Sequence, residues 1–229
     1  MVHLAVSLAL GGPKAGAIFD LALVAFWGMA RLGKLTSPFP RGKLDPRTLV
    51  FLSDVAWENS GDEAFAVLTL RDAKTCKPGK TQLIKLRPLT NLLCPIEAVK
   101  RRLAVCREIK SPTLFSHAEP NGEITHLTKD TVNRGLHLVW EQGGYQNLTG
   151  HFLRVGGASM RYAMGVKTKE ICKIGRWTST CYKLYIRDYS EEEKIESTEL
   201  MAQLDLLWES GLSGEADACP KTDKVETKE

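Results

Sequence analysis

Between Ala15 and Leu32 the chain reads AGAIFDLALVAFWGMARL, and this stretch limits its fold more than any other. Ile18, Leu21, Leu23, Val24, Phe26 and Trp27 fall on nearly every side of a 3.6-residue period. A helix that is apolar all round is stable only when other elements enclose it. The remaining elements must therefore wrap this one. With 229 residues, 43% of them apolar, the chain has enough material for one such core. The helix is predicted to run to Leu32, with Gly33 as its C-terminal cap and Arg31 near the negative end of its dipole.

The rest reads as shorter elements. Leu4 to Leu10 is apolar but short and lacks a basic flank, so it is read as a helix and not as a signal peptide. Ser37-Pro38-Phe39-Pro40 is a breaker. Three strand-like runs follow, Leu49 to Ser53, Ala64 to Leu70 and Gln82 to Leu86, the last two joined by the turn-rich link RDAKTCKPGK. Leu93-Cys94-Pro95 opens a helix with an Ile96, Val99, Leu103, Cys106 stripe. Thr113 to Ser116 reads as a short buried strand. Thr128 starts a helix that ends at Gly143-Gly144, and Ser190 starts an acidic amphipathic one carrying Ile195, Leu200, Met201, Leu204, Leu207 and Trp208. No run of 18 apolar residues exists, so no membrane span or membrane partner is implied. The six cysteines form no CxxC pair, which signals neither a zinc site nor a disulfide frame and suits a reducing compartment.

The net charge of +4 conceals an asymmetry. Residues 188–229 hold 13 acids and 4 bases, which leaves 27 bases and 14 acids, or +13, in residues 1–187. A basic body suits a polyanionic partner such as nucleic acid.

The chemistry concentrates between Leu148 and Ser190. His151 and Arg154 stand three apart, on one face of a helix. Gly175-Arg176-Trp177 follows, and Tyr185-Ile186-Arg187 comes eight residues after Trp177. An imidazole, a guanidinium, an indole N–H and a phenol on a basic surface suit a phosphate and a phenolic nucleophile. The pattern HxxR, then GRW, then YIR resembles the C-terminal active-site half of the tyrosine recombinases, the phage integrase family, of the Cre-like kind found in eukaryotic mobile elements. The resemblance covers roughly Phe19 to Leu207.

The resemblance implies an α+β fold, mostly helical with a small antiparallel three-stranded sheet. It implies a DNA recombinase or integrase in which Tyr185 is the nucleophile, with Tyr182 and Tyr189 as rivals. Arg31 and Arg154 would bind the phosphate, Trp177 would donate to it, and His151 would take the phenolic proton. Lys74, on the hairpin and before Thr75, would protonate the leaving oxygen, with Lys77 and Lys80 as rivals. The DNA-facing bases would be Lys77, Lys80, Arg101, Arg134, Lys173, Arg176, Lys183 and Arg187. Double-stranded DNA is the implied partner, the C-terminal helix would join copies of the chain on it, and neither metal nor cofactor is implied. An intracellular site, the nucleus, is expected. Residues 1–15 read as a remnant N-terminal segment, 16–210 as the catalytic domain and 211–229 as a disordered tail. The resemblance implies an N-terminal clamp domain before the first catalytic-domain helix; with about 15 residues there, the chain is expected to be an isolated catalytic domain, a fragment or a shortened gene product. Lys34 stands where the family has an acid, which implies impaired activity. A decayed or domesticated DNA-binding protein is therefore the alternative, and a type IB topoisomerase-like nicking enzyme a third.

Overall fold

The computed structural model describes residues 1–61, 63–71 and 81–215. Its helices are α1 (Val2–Leu8), α2 (Pro13–Trp27), α3 (Pro95–Glu108), α4 (Lys129–Gln142), α5 (His151–Ala163), α6 (Thr168–Gly175) and α7 (Glu191–Glu215). Strands β1 (Val55–Ser60), β2 (Glu63–Leu70) and β3 (Gln82–Leu86) form one antiparallel sheet with β2 central. β4 (Ser116–Ala118) and β5 (Ile124–His126) form a separate hairpin. The architecture is the α+β one expected from the sequence. Among the described residues no helix is long and apolar enough to cross a membrane.

The apolar stretch is the axis of the molecule. Every residue from Ala17 to Trp27 is buried, and α1, α3, α4, α5 and β4 all pack on α2. The helix stops at Trp27, five residues before the predicted end. Gly28 explains the stop: a Cβ there would lie 2.5 Å from Ile84 of β3 and 2.7 Å from the Val24 carbonyl, so only glycine lets the helix end abut the sheet. Met29 then turns with φ +43° while wholly buried. Arg31 follows in an extended conformation, and Leu32–Lys34 forms a 3-10 turn. The apolar pattern ran on past Trp27 because Met29, Ala30 and Leu32 stay in the core after the chain has left the helix.

The first strand is also displaced from its expected place. Leu49–Ser53 is not a strand: Phe51 makes a single bridge to Thr113 and Leu52–Asp54 is a 3-10 turn. Pairing begins at Val55, opposite Leu68, and continues into Glu58-Asn59-Ser60. This polar run is tolerated because β1 is a sheet edge. The predicted strand at Thr113 to Ser116 begins instead at Ser116.

The last helix opens with a capping box. The Ser190 N–H donates to Glu193 Oε2 at 2.7 Å and the Glu193 N–H to Ser190 Oγ at 3.2 Å. It lies on its own domain. Leu204 is buried, and Asp205 Oδ1 accepts from Thr90 Oγ1 at 3.0 Å and Asn91 Nδ2 at 2.7 Å.

Candidate active site

The first turn of α5 brings His151 and Arg154 to the end of α2. Leu153, Val155 and Ala158 face the core, which fixes the helix rotation and leaves the His151–Arg154 edge towards α6 and the following turn. Gly175 closes α6 directly under the Trp177 ring, where a Cβ would sit 2.5 Å from the indole Cζ3. A further turn, Thr180–Leu184, is capped by Ser179, whose Oγ accepts from the Cys181 N–H at 3.4 Å, and delivers Tyr185. One hydroxyl holds the backbone there: Ser159 Oγ donates to the Tyr185 carbonyl at 3.1 Å and accepts from the Arg187 N–H at 2.9 Å.

Four of the predicted site residues meet. The Tyr185 ring lies 5.2 Å from that of His151 and 4.9 Å from that of Trp177, centroid to centroid. The Arg154 guanidinium carbon stands 4.6 Å from the Trp177 ring centre and 5.4 Å from that of Tyr185. Arg154 is 4% exposed. Its Nη2 donates to the Gly175 carbonyl at 2.7 Å and its Nη1 to the Met29 carbonyl. Its Nε and the Trp177 Nε1, both buried, have no partner among the described residues.

Two cavities flank this cluster. A tight cleft of about 70 Å³ is lined by Arg31, Lys34, Arg154, Arg176, Trp177 and Thr178, among others. A wider groove of about 770 Å³ takes in Arg31, Lys34, Lys129, His151 and Arg154. Neither lining includes a carboxylate among the described residues. Burial, and then the charge of Arg31, lower the Arg154 pKa to about 10, which leaves it protonated at neutral pH. Burial, then Arg154, Arg31 and Lys129, push His151 below its usual value, so its imidazole is a free base at pH 7. The arrangement therefore offers cationic and N–H donors to an anion, with a neutral base against a phenol.

Arg31 lines both cavities, two residues past the φ +43° turn. Lys74, Lys77 and Lys80 lie outside the described residues. The paired residues at the root of their link, Leu70 and Gln82, line the cleft. Lys173, Lys183 and Arg187 are exposed, and so is Arg134, which pairs with Asp130 at 3.0 Å. Two residues assigned to a DNA face are engaged elsewhere. Arg101 donates twice to Asp20 Oδ1, at 3.0 and 2.6 Å, on the flank of α2. Arg176 turns inward to backbone carbonyls. Sequence reasoning missed Arg161, whose Nη2 donates to the Trp27 carbonyl. Its acceptor is main chain and remote, so nothing in the local pattern signals it.

No protein-family model matches the chain, and no curated protein matches it. The fold is that of a tyrosine-recombinase catalytic domain. The chain is similar to the XerH site-specific recombinase bound to a palindromic difH substrate in a post-cleavage complex, with TM-score 0.57 at 12% identity over 86% of this chain. It is also similar to XerH bound to difH before cleavage, with TM-score 0.55 at 14% identity over 86% of this chain. It spans about half of each of those chains, 49% and 51%.

Proposed function

We propose that this chain cleaves and rejoins DNA strands through a phosphotyrosyl intermediate. Tyr185 Oη attacks the scissile phosphorus, and the bond to the 5′ oxygen breaks as a 3′-phosphotyrosyl bond forms. The phenolic proton passes to His151. Arg31 and Arg154 offer fork-shaped donors to the non-bridging oxygens, joined by the Trp177 N–H. Lys74 protonates the departing 5′ oxygen, and the reverse sequence rejoins the strand without an outside energy source. Donors fixed in advance around developing charge supply much of the rate enhancement in such chemistry. One observation carries the reading: two buried N–H donors without partners among the described residues, beside a phenol and a neutral histidine, in a cleft lined by cations. The basic body supports duplex DNA as the partner. Ile195, Leu200 and Leu206 of α7, exposed at 58%, 42% and 65%, support contact between copies of the chain on that DNA. The nucleus is the expected compartment.

A nicked duplex that traps the covalent adduct tests the proposal. Wild-type protein forms the adduct, while Tyr185→Phe binds the duplex and forms none. An adduct that survives Tyr185→Phe and disappears with Tyr182→Phe or Tyr189→Phe overturns the assignment.

Lys34 favours a second reading, a DNA-binding protein that has lost cleavage. It lines both cavities beside Arg31 and Arg154, where the resemblance calls for an acid. Like charges a few ångströms apart cost roughly 1–4 kcal/mol. On this reading wild-type protein binds DNA and traps no adduct, and Lys34→Glu raises adduct formation severalfold or more. An unchanged rate in Lys34→Glu removes Lys34 as the lesion.

A further inference from the structure

The C-terminal end of α2 collects three arginines. Arg161 Nη2 donates to the Trp27 carbonyl, Arg176 Nη2 to the Gly28 and Met29 carbonyls at 3.1 Å each, and Arg154 Nη1 to the Met29 carbonyl. The last carbonyls of a helix lack intrahelical partners and carry the negative end of its dipole, so cations gather there. Arg154 and Arg176 share one oxygen, which has two lone pairs to offer. Arg176 also donates through Nη1 to the Ile174 carbonyl at 2.9 Å. Its side chain thus ties two strips of backbone together. One strip, residues 28–31, ends in Arg31. The other, residues 174–177, ends in Trp177. Arg154 lies between the same two strips and bonds to both, at Met29 and at Gly175.

The backbone of Arg176 shows that this link is maintained against a local preference. Arg176 caps α6 with φ +57° and ψ +40°. That left-handed position favours glycine or asparagine, and a side chain with a Cβ is disfavoured there. The guanidinium's three carbonyl contacts are what an arginine supplies and a glycine does not. Burial, then the charges of Arg154 and Arg31, lower its pKa to about 10, so it too remains a cation at neutral pH.

We infer that Arg176 is a positioning residue, a strut that sets the spacing between Arg31, Arg154 and Trp177 and itself holds no DNA phosphate. The inference rests on the proposed strand cleavage and adds a residue to it. It also explains why a basic residue between Gly175 and Trp177 faces inward in a surface that otherwise faces an anion.

The test compares wild-type, Arg176→Gly and Arg176→Lys. Arg176→Gly removes the guanidinium and relieves the left-handed strain, so the fold is retained, as circular dichroism will report. Arg176→Lys keeps the charge but loses the fork that spans two strips. At saturating nicked duplex, single-turnover adduct formation falls 10- to 100-fold in Arg176→Gly and by less in Arg176→Lys. Affinity for the duplex, measured by anisotropy, changes less than threefold, and added guanidinium ion restores part of the Arg176→Gly rate. A large loss of affinity with an unchanged rate at saturation makes Arg176 a DNA contact and overturns the inference. An unchanged rate and affinity overturn it as well. Nitrogen-15 spectra of labelled arginine, taken without DNA, give an arm that needs no cleavage. The Arg154 Nε–H resonance moves or broadens in Arg176→Gly and stays in place in an Arg101→Ala control. If wild-type protein traps no adduct, the cleavage proposal fails, and an unmoved Arg154 resonance then overturns the strut separately.

Discussion

Arg102 and Arg154 are the same residue under nearly the same cover, 2% and 4% exposed, yet their surroundings differ in kind. Arg102, on α3, faces the buried Asp20 carboxylate at 3.8 Å, and Arg101 donates to that carboxylate as well. Burial raises the Asp20 pKa while the two arginines lower it, so the group contains its own counter-charge. Arg154 has carbonyls and further cations around it, and no carboxylate lines its cleft among the described residues. Burying a charge is costly unless it is paired. The rear of the domain supplies a counter-charge internally, although Arg102 Nε and Nη2 make no hydrogen bond among the described residues. The cleft supplies no carboxylate among the described residues and leaves room for an anion. Burial alone does not separate the two arginines, and neither do unpartnered N–H groups, which both have; the presence or absence of a built-in carboxylate does.

The sharpest way to break this comparison is to alter the two arginines in parallel. Arg154→Lys keeps the charge and removes the fork, so single-turnover adduct formation should fall about 100- to 1,000-fold with duplex affinity within severalfold of wild type. Arg102→Met should lower stability in urea unfolding by about 1–3 kcal/mol, because Asp20 loses one of its cations. Its adduct rate at saturating duplex should stay at the wild-type value. A rate loss in Arg102→Met, or a stability loss alone in Arg154→Lys, erases the distinction.

Acid distinguishes the same two regions. Burial holds the His117 and His126 pKa values below the usual histidine range. The unfolded chain therefore binds their protons first, and their stabilising contribution, present above about pH 6.5, is lost as pH falls through the folded values. Thermal unfolding at pH 7 and pH 5.5 should show the loss, and His126→Gln should reduce it. In the cleft, His151 must be unprotonated to accept the phenolic proton, so the acid limb of adduct formation should lie below pH 6.5. The smallest effect is on binding. Duplex affinity should fall steeply with salt, and Lys183→Ala should lower the log–log slope by about one.

The constellation itself was legible because it is short-range in sequence. His151 and Arg154 share one helical turn, and Trp177 and Tyr185 follow within one helix–turn unit, so spacing carried their proximity. The central helix was legible for the opposite reason, its indifference to direction: every side of it is buried. Its end was not legible, because the stop depends on Ile84 of β3 pressing against Gly28. The edge strand β1 was placed too early, since its polar half follows a sheet edge and not an apolar period. The inward roles of Arg161 and Arg176 lay beyond any local pattern, because their acceptors are main-chain oxygens 134 and 148 residues away.

Those separations have a consequence for the order in which the molecule can form. The end of α2 is completed by side chains 125 to 148 residues downstream. During synthesis the most apolar helix of the chain emerges early, and the arginines that close its last turn emerge long after it. Contacts this distant in sequence slow folding. Until α5 leaves the ribosome, one apolar face of α2 and its last turn stay uncovered and are a natural target for chaperones. A nascent chain stalled before Arg154 should be bound by them, and one released past Tyr185 should be free of them.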